Sequence, residues 1–427
     1  MLLGLAAAVA LTAAVGPETP DKVSALPVHG PALPDCEGAI RELVIQYVPE
    51  AARIVETAYR DFLGQLPKDV TVFVVCTGRA AFDDLRARVG RVACRLMPVC
   101  TGHAMTCWSR DRWLAFAPKC PNGPTLLLSP QEETGAAVWP QRKGDHQVAD
   151  DIAAALRGRV VSHRSTLGFD GGDFVADGEA VFVTPEVARR NVGISVASSD
   201  RLRRALSAVL QRKVVLLRES PPYHAGMFMM LAGGRTAVVG DPFLARRLLL
   251  RATAEPGAAA SCPLESPDFS DETQRRFDAV AAQCAAEGYR VVRIPVVPAT
   301  DGRTYLTYLN VILDQRAGTR TVYMPIYRGT ETLNRAAAVV WQALGYEVRR
   351  VDCTETYIHF GSLRCLVNVL RRSSPARRER NLATVSSVRC PAPAAACWSS
   401  PSMRGALPPR RIPPTKWAPG RATGPPA

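Results

Sequence analysis

The sequence predicts an α/β fold, on three observations. Short β-rich runs recur along the chain, longer runs of helical period separate them, and glycines stand where two of the helices should stop. Val70 to Val75 is the first clear strand, and Arg79 to Val89 follows as a helix. Phe174 to Thr184 predicts a strand pair turning at Asp177-Gly178, a dipeptide suited to tight hairpins. Leu202, Leu206 and Leu210 keep helical spacing over Asp200 to Gln211, and Val214 to Leu217 is again a strand. Met227 to Leu231 and Thr236 to Val239 read as two strands joined at Gly233-Gly234, with a helix over Pro242 to Arg251. Thr273 to Glu287 predicts a helix closed by Gly288, as a C-cap glycine would. Strands follow at Arg290 to Val296, Tyr305 to Leu313 and Thr321 to Pro325. A helix over Thr330 to Leu344 precedes Gly345 and a final strand at Glu347 to Val351. This pattern alone does not separate one open sheet from a propeller of repeated modules.

The 427 residues are 47% hydrophobic and 22% charged, ordinary values for a folded globular chain. Ten of the fourteen net positive charges sit beyond Leu370, where eleven Lys and Arg face Glu379 alone. The basic character therefore belongs to a tail, residues 373–427, rich in Pro, Arg, Ala and Ser and expected to be disordered. No aromatic interleaving accompanies that charge, so a nucleic-acid-binding role ranks last. At the other end, Met1 to Val15 is apolar but too short to span a bilayer. It resembles the core of a secretory signal without the usual preceding Lys or Arg, which leaves export and cytoplasmic residence both open. The expected organisation is a signal-like or flexible segment at 1–36, a catalytic domain at 37–372 and the tail. Of twelve cysteines, Cys94, Cys100, Cys107 and Cys120 cluster. Export would allow some to pair, and their spacing does not suit a zinc site.

Four segments concentrate the chemistry. They are Trp108-Ser109-Arg110-Asp111-Arg112, Phe169-Asp170-Gly171-Gly172-Asp173, Tyr223-His224-Ala225-Gly226-Met227-Phe228 and Gly361-Ser362-Leu363-Arg364-Cys365-Leu366-Val367-Asn368-Val369. Together they offer a thiol, an imidazole and several carboxylates near predicted strand ends. Carboxylates can accept paired hydrogen bonds from a planar guanidinium, and a thiolate beside an acid/base group can break its C–N bond. Each signal alone suits a structural role, since a lone Cys is usually a small buried hydrophobe. The order of all four is what points to chemistry.

That order resembles the pentein, guanidino-group-modifying superfamily, and most of all its peptidylarginine deiminases and agmatine deiminases. Their motifs run W-x-R-D, then D/E-G-G-D/N, then H-x-D-M-F, then G-x-x-H-C-x-T-N-V. Val239-Gly240-Asp241-Pro242 and the run Tyr305 to Val311 add to the likeness, which spans about residues 69–372. The resemblance implies a five-module α/β propeller with a central active site. It implies Cys365 as nucleophile, His224 as proton shuttle and Asp111 as a grip on the guanidinium, with Asp170 and Asp173 assisting. Arg110 and Arg364 enter as further substrate-binding candidates. The substrate would be arginine in a protein, free arginine or a derivative such as agmatine, and the product a ureido compound. No cofactor or metal takes part in that chemistry; some relatives depend on calcium, but no calcium-site spacing occurs here.

Four motif positions depart from the family. Gly226 stands where a guanidinium-binding Asp is expected, and Arg364 where a His precedes the nucleophile. Val367 replaces a Thr, and Asp170 the longer Glu of agmatine deiminases. An arginine beside a thiol favours thiolate, yet it also repels a cationic substrate. Three functions therefore compete: a guanidino hydrolase first, then a pseudoenzyme keeping the fold as a binding module, then an amidinotransferase. The sequence sets no oligomeric state and offers no membrane partner.

Overall fold

The computed structural model describes residues 26–27, 29–134, 138, 140–253 and 262–373. Met1 to Val15 and residues 374–427, with the signal-like stretch and nearly all of the basic tail, lie outside the described residues. Among those described, the strands form five separate small sheets rather than one open sheet. The first orders Val367–Arg372, Ile40–Tyr47, Thr71–Cys76 and Arg95–Cys100. The second holds Leu114–Phe116, Thr125–Ser129 and Val160–Arg164, and the third Phe174–Ala176, Ala180–Val183 and Lys213–Leu216. The fourth runs Met229–Leu231, Thr236–Asp241, Arg290–Pro298 and Tyr305–Thr307, and the fifth Ile312–Arg316, Thr319–Ile326 and Glu347–Asp352.

Each sheet repeats one pairing rule. An outer strand lies antiparallel to the second, and the second lies parallel to the third. A parallel neighbour cannot be reached by a hairpin, so a helical crossover must intervene. Ala52–Gly64 serves the first sheet, Val148–Ala155 the second, Ser199–Leu210 the third, Asp271–Ala286 the fourth and Glu331–Ala343 the fifth. Ser198 and Ser270 start two of these helices by accepting the Arg201 and Thr273 amides. Gly288 follows Asp271–Ala286 and Gly345 follows Glu331–Ala343, at φ +84° and +82°, where a side chain would be strained. The helices bury one face only, as Leu202, Leu206 and Leu210 do. In the first sheet the outer strand comes from residues 367–372, so the last described strand pairs with the first.

Two predicted strands change. Tyr305 to Leu313 is not one strand: Tyr305–Thr307 belongs to the fourth sheet and Ile312–Arg316 to the fifth. Between them the chain is buried and bonded to side chains instead of to a neighbouring strand. Trp341 donates to the Tyr308 carbonyl at 3.0 Å, and the Leu309 amide donates to Thr307 Oγ1 at 3.2 Å. Met227 likewise closes a 3₁₀ turn, Ala225–Met227, before its strand begins at Met229. The ordered body also starts earlier than residue 37. The Gly30 amide bonds Ala117 O, and Ala32 bridges to Phe116. All ten described cysteines are free thiols, and Cys100 lies opposite Cys76 in register. No helix among the described residues is long and apolar enough to cross a membrane.

Candidate active site

Each of the five sheets delivers polar side chains immediately ahead of its outer strand. Asp111 precedes Leu114–Phe116, Asp170 and Asp173 precede Phe174–Ala176, and His224 precedes Met229–Leu231. Asn310 precedes Ile312–Arg316, and Cys365, on the short helix Leu363–Leu366, precedes Val367–Arg372. Residues as far apart in sequence as Asp111 and Cys365 thereby come together, and all six of these side chains are buried.

Glycines permit the approach. A Cβ on Gly172 would lie 2.5 Å from the His224 ring, and one on Gly171 would lie 2.1 Å from the Arg110 carbonyl. Gly361 likewise makes room for the Trp108 ring. Arg110 pins the loop carrying Asp111: its Nε donates to Gly171 O at 3.0 Å and its Nη1 to Asn368 Oδ1 at 2.9 Å. Asn368, the Asn of the cysteine motif, donates in turn to Ser109 O and Trp113 O. Burial and the neighbouring Arg364 lower the Arg110 pKa to about 9, so it stays protonated at neutral pH.

His224 sits between two carboxylates, with Nδ1 4.0 Å from Asp111 Oδ1 and Nε2 3.9 Å from Asp170 Oδ2. Tyr223 stacks on its ring at 4.3 Å and holds a backbone φ of +74°, costly for a bulky residue. Burial by itself would lower the His224 pKa. The Asp111 charge and the closeness of Asp170 and Cys365 outweigh burial and hold it well above the usual histidine value. Burial raises the Asp111 carboxyl despite His224 and Arg142. Asp170 moves the other way, because His224, Arg142 and Arg190 overcome its burial. Asp111 Oδ1 and His224 Nδ1 are both buried and without a hydrogen-bond partner. Asp111 Oδ1 is therefore an acceptor that the donors of a planar guanidinium can engage.

The other carboxylates are already engaged. Asp170 accepts from Arg142 Nη2 at 2.8 Å and from Arg190 Nη1 at 2.9 Å, with Arg112 Nη2 at 3.4 Å. Arg142 also reaches Asp111 Oδ2 at 3.5 Å. Asp173 is tied to its own turn, accepting the Asp170 amide and the Thr184 hydroxyl at 2.9 Å each. Arg364 turns away to Asp35, with contacts of 3.1 and 2.9 Å to one carboxylate oxygen, and donates to Phe174 O at 2.7 Å. A Cβ on Gly226 would lie 3.2 Å from both Arg364 Nη1 and Asn310 Nδ2. The space beside Gly226 is thus bordered by that guanidinium and that amide.

A pocket of about 500 Å³ reaches the site and is lined by Asp170, Asp173, Tyr223 and His224, with Arg190 and Tyr305 farther along. Among the described residues no group of three or more His, Cys, Asp or Glu side chains is placed to hold a metal ion. Sequence reasoning singled out Asp111, Asp170, Asp173, His224 and Cys365, and the fold brings these together. It missed Asn310, Arg142, Arg190 and Asp35. Asn310 lay within a run read as strand, and the three charged residues sit in segments with no motif of their own.

No protein-family model and no curated protein matches the sequence. Solved structures do match. The agmatine deiminase of C. jejuni superposes with a TM-score of 0.56 at 13% identity, covering 79% of this chain and 95% of that one. A substrate-bound variant of the same enzyme gives 0.57 at 13% identity, covering 81% and 98%. The agmatine deiminase of Enterococcus faecalis gives 0.57 at 14%, covering 81% and 96%. At these identities the likeness is one of fold, and the protein has the α/β fold of the agmatine deiminases, that of the pentein superfamily its motifs resemble.

Proposed function

We propose that the protein is a guanidino hydrolase in which five β-β-α-β modules form a propeller around the residues ahead of the outer strands. Cys365, as thiolate, attacks the guanidinium carbon and forms a C–S bond. Protonated His224 gives its proton to the departing nitrogen, the C–N bond breaks, and ammonia leaves a covalent thiouronium. Water then adds to the same carbon and passes a proton to His224. Breaking the C–S bond returns the thiolate, the remaining hydroxyl proton passes to solvent, where ammonia becomes ammonium, and the ureido product leaves. Asp111 accepts hydrogen bonds from the guanidinium throughout.

One observation carries this reading: Asp111 Oδ1 and His224 Nδ1 face one another 4.0 Å apart, both buried and neither hydrogen-bonded. The raised His224 pKa supports a resident proton for the leaving group. The solved structures of like fold add that agmatine deiminases are built on this framework.

A second reading, a binding module without turnover, draws on Asp170. Its two oxygens are occupied by Arg142 and Arg190, and Gly226 supplies no carboxylate in its place. The deciding experiment offers free arginine, agmatine and an arginine-containing peptide to purified protein, with and without calcium. Ureido product from one of them, abolished by Cys365→Ser, identifies the hydrolase and its substrate class. No product from folded protein favours the binding module, unless an added amine acceptor becomes amidinated, which would identify a transferase.

A further inference from the structure

We infer that Cys76 and Cys100 form a modification site, a pair of thiols that a low-molecular-weight disulfide such as oxidised glutathione converts to a reversible cross-strand disulfide. Thr71–Cys76 and Arg95–Cys100 are parallel neighbours in the first sheet, and their last residues are register partners. Such partners lie about 4.8 Å apart and project to one face, within the roughly 4.4–6.8 Å that a disulfide spans between Cα atoms. Both strands run into the same tripeptide, Cys-Thr-Gly, and the Thr101 amide donates to the Cys76 carbonyl at 2.9 Å, which holds the two ends together. Of the described cysteines, these two alone lie in strands.

Their unequal surroundings assign an order to the chemistry. Cys100 is exposed on the edge strand of its sheet. Nothing lies within 4 Å of a Cβ built on Gly78 or Gly102, so a small oxidant has open space beside the pair. Cys76 is buried and donates to Gly78 O at 3.4 Å; burial, with Cys100 beside it, pushes its thiol up to about 11. The Cys100 thiolate therefore attacks first, forming a bond to one glutathione sulfur and expelling the other glutathione as thiolate. The Cys76 thiolate then attacks the Cys100 sulfur, closing the cross-strand S–S bond and expelling the second glutathione. Two electrons pass from the pair to the reagent, and the two cysteine protons end on the released glutathiones. The bridge lies at the end of the sheet that carries Cys365. Val367 is opposite Ile45, and Tyr47, two residues on, is opposite Cys76. Thr101 opens the stretch leading to Trp108 and Asp111, so the bridge fastens the root of that loop.

The test maps the bond directly. Full-length protein would be incubated with oxidised glutathione at neutral pH, then unfolded in mildly acidic N-ethylmaleimide to cap the remaining thiols. Tryptic peptides would be read by mass spectrometry before and after dithiothreitol. The Cys76 peptide should be found joined to the Cys100 peptide, exceeding glutathione-capped Cys100 by about tenfold or more, because a thiol held in register outcompetes a dissolved one. Cys107 shares the Cys100 peptide, so fragment ions between the two residues assign the bond, and Cys100→Ser should abolish it. Cys100 left capped with glutathione while Cys76 takes maleimide would overturn the site. So would a link that survives Cys100→Ser. Neither outcome depends on turnover or on the role of Cys365.

Discussion

The two walls of the site differ in how they handle charge. The nucleophile wall, Cys365 with Asn310 and Gly226, presents small neutral groups, and the neighbouring Arg364 is turned into the protein by Asp35. The carboxylate wall is crowded with guanidinium groups: Arg142, Arg190 and Arg112 surround Asp170, and Arg142 also contacts Asp111. The altered motif position on the first wall thus points its charge at an internal partner. On the second wall a position that keeps a carboxylate has it occupied. A charged side chain acts through where its partners hold it, which motif identity does not reveal.

Four outcomes would sharpen or break this comparison. The largest effect should come from His224→Ala, which removes the proton carrier between the walls and should cut turnover by about 10²–10⁴-fold. Steady-state kinetics on the best guanidine would check it, and near-normal turnover would exclude His224 as acid/base. Asp111→Asn should cost about 10–100-fold in kcat/KM, since one charged hydrogen bond to the guanidinium is lost. Arg142→Ala should act in the opposite direction. Freed of its resident guanidinium, the carboxylate wall should bind guanidines up to about tenfold more tightly, read as a lower KM or tighter calorimetric binding. A weakened affinity would mean that Arg142 builds the wall instead of competing with substrate.

The smallest effect concerns stability. His224 holds its proton more tightly folded than unfolded, so its stabilising contribution is full below the ordinary value near 6.5. That contribution is lost as pH rises through the higher folded value. Urea unfolding on the alkaline side should therefore show a fall in stability that His224→Gln flattens, and parallel profiles for the two proteins would count against the imidazolium.

Much was legible before folding. Arg79–Val89 runs over the predicted residues, and the hairpin from Phe174 to Val183 turns at Asp177-Gly178. Local rules suffice there, because helical period, turn chemistry and cap glycines act between residues close in sequence. The order of the motif residues also carried the fold resemblance and named five of the side chains that meet. Register and closure were not legible. Ile40–Tyr47 pairs with Val367–Arg372 across more than 300 residues, and no local pattern encodes a partner so distant.

By itself, then, the sequence determined the α/β elements and the chemical types available to a site. Only the tertiary structure decided which charges are spent. Asp35 neutralises Arg364, Arg142 and Arg190 engage Asp170, and Asn310 reaches Cys365 from a break that read as unbroken strand. The physical reason is range: helix and turn preferences are settled over a few residues, whereas an ion pair or a hydrogen bond to sulfur depends on ångström-scale distances between distant segments.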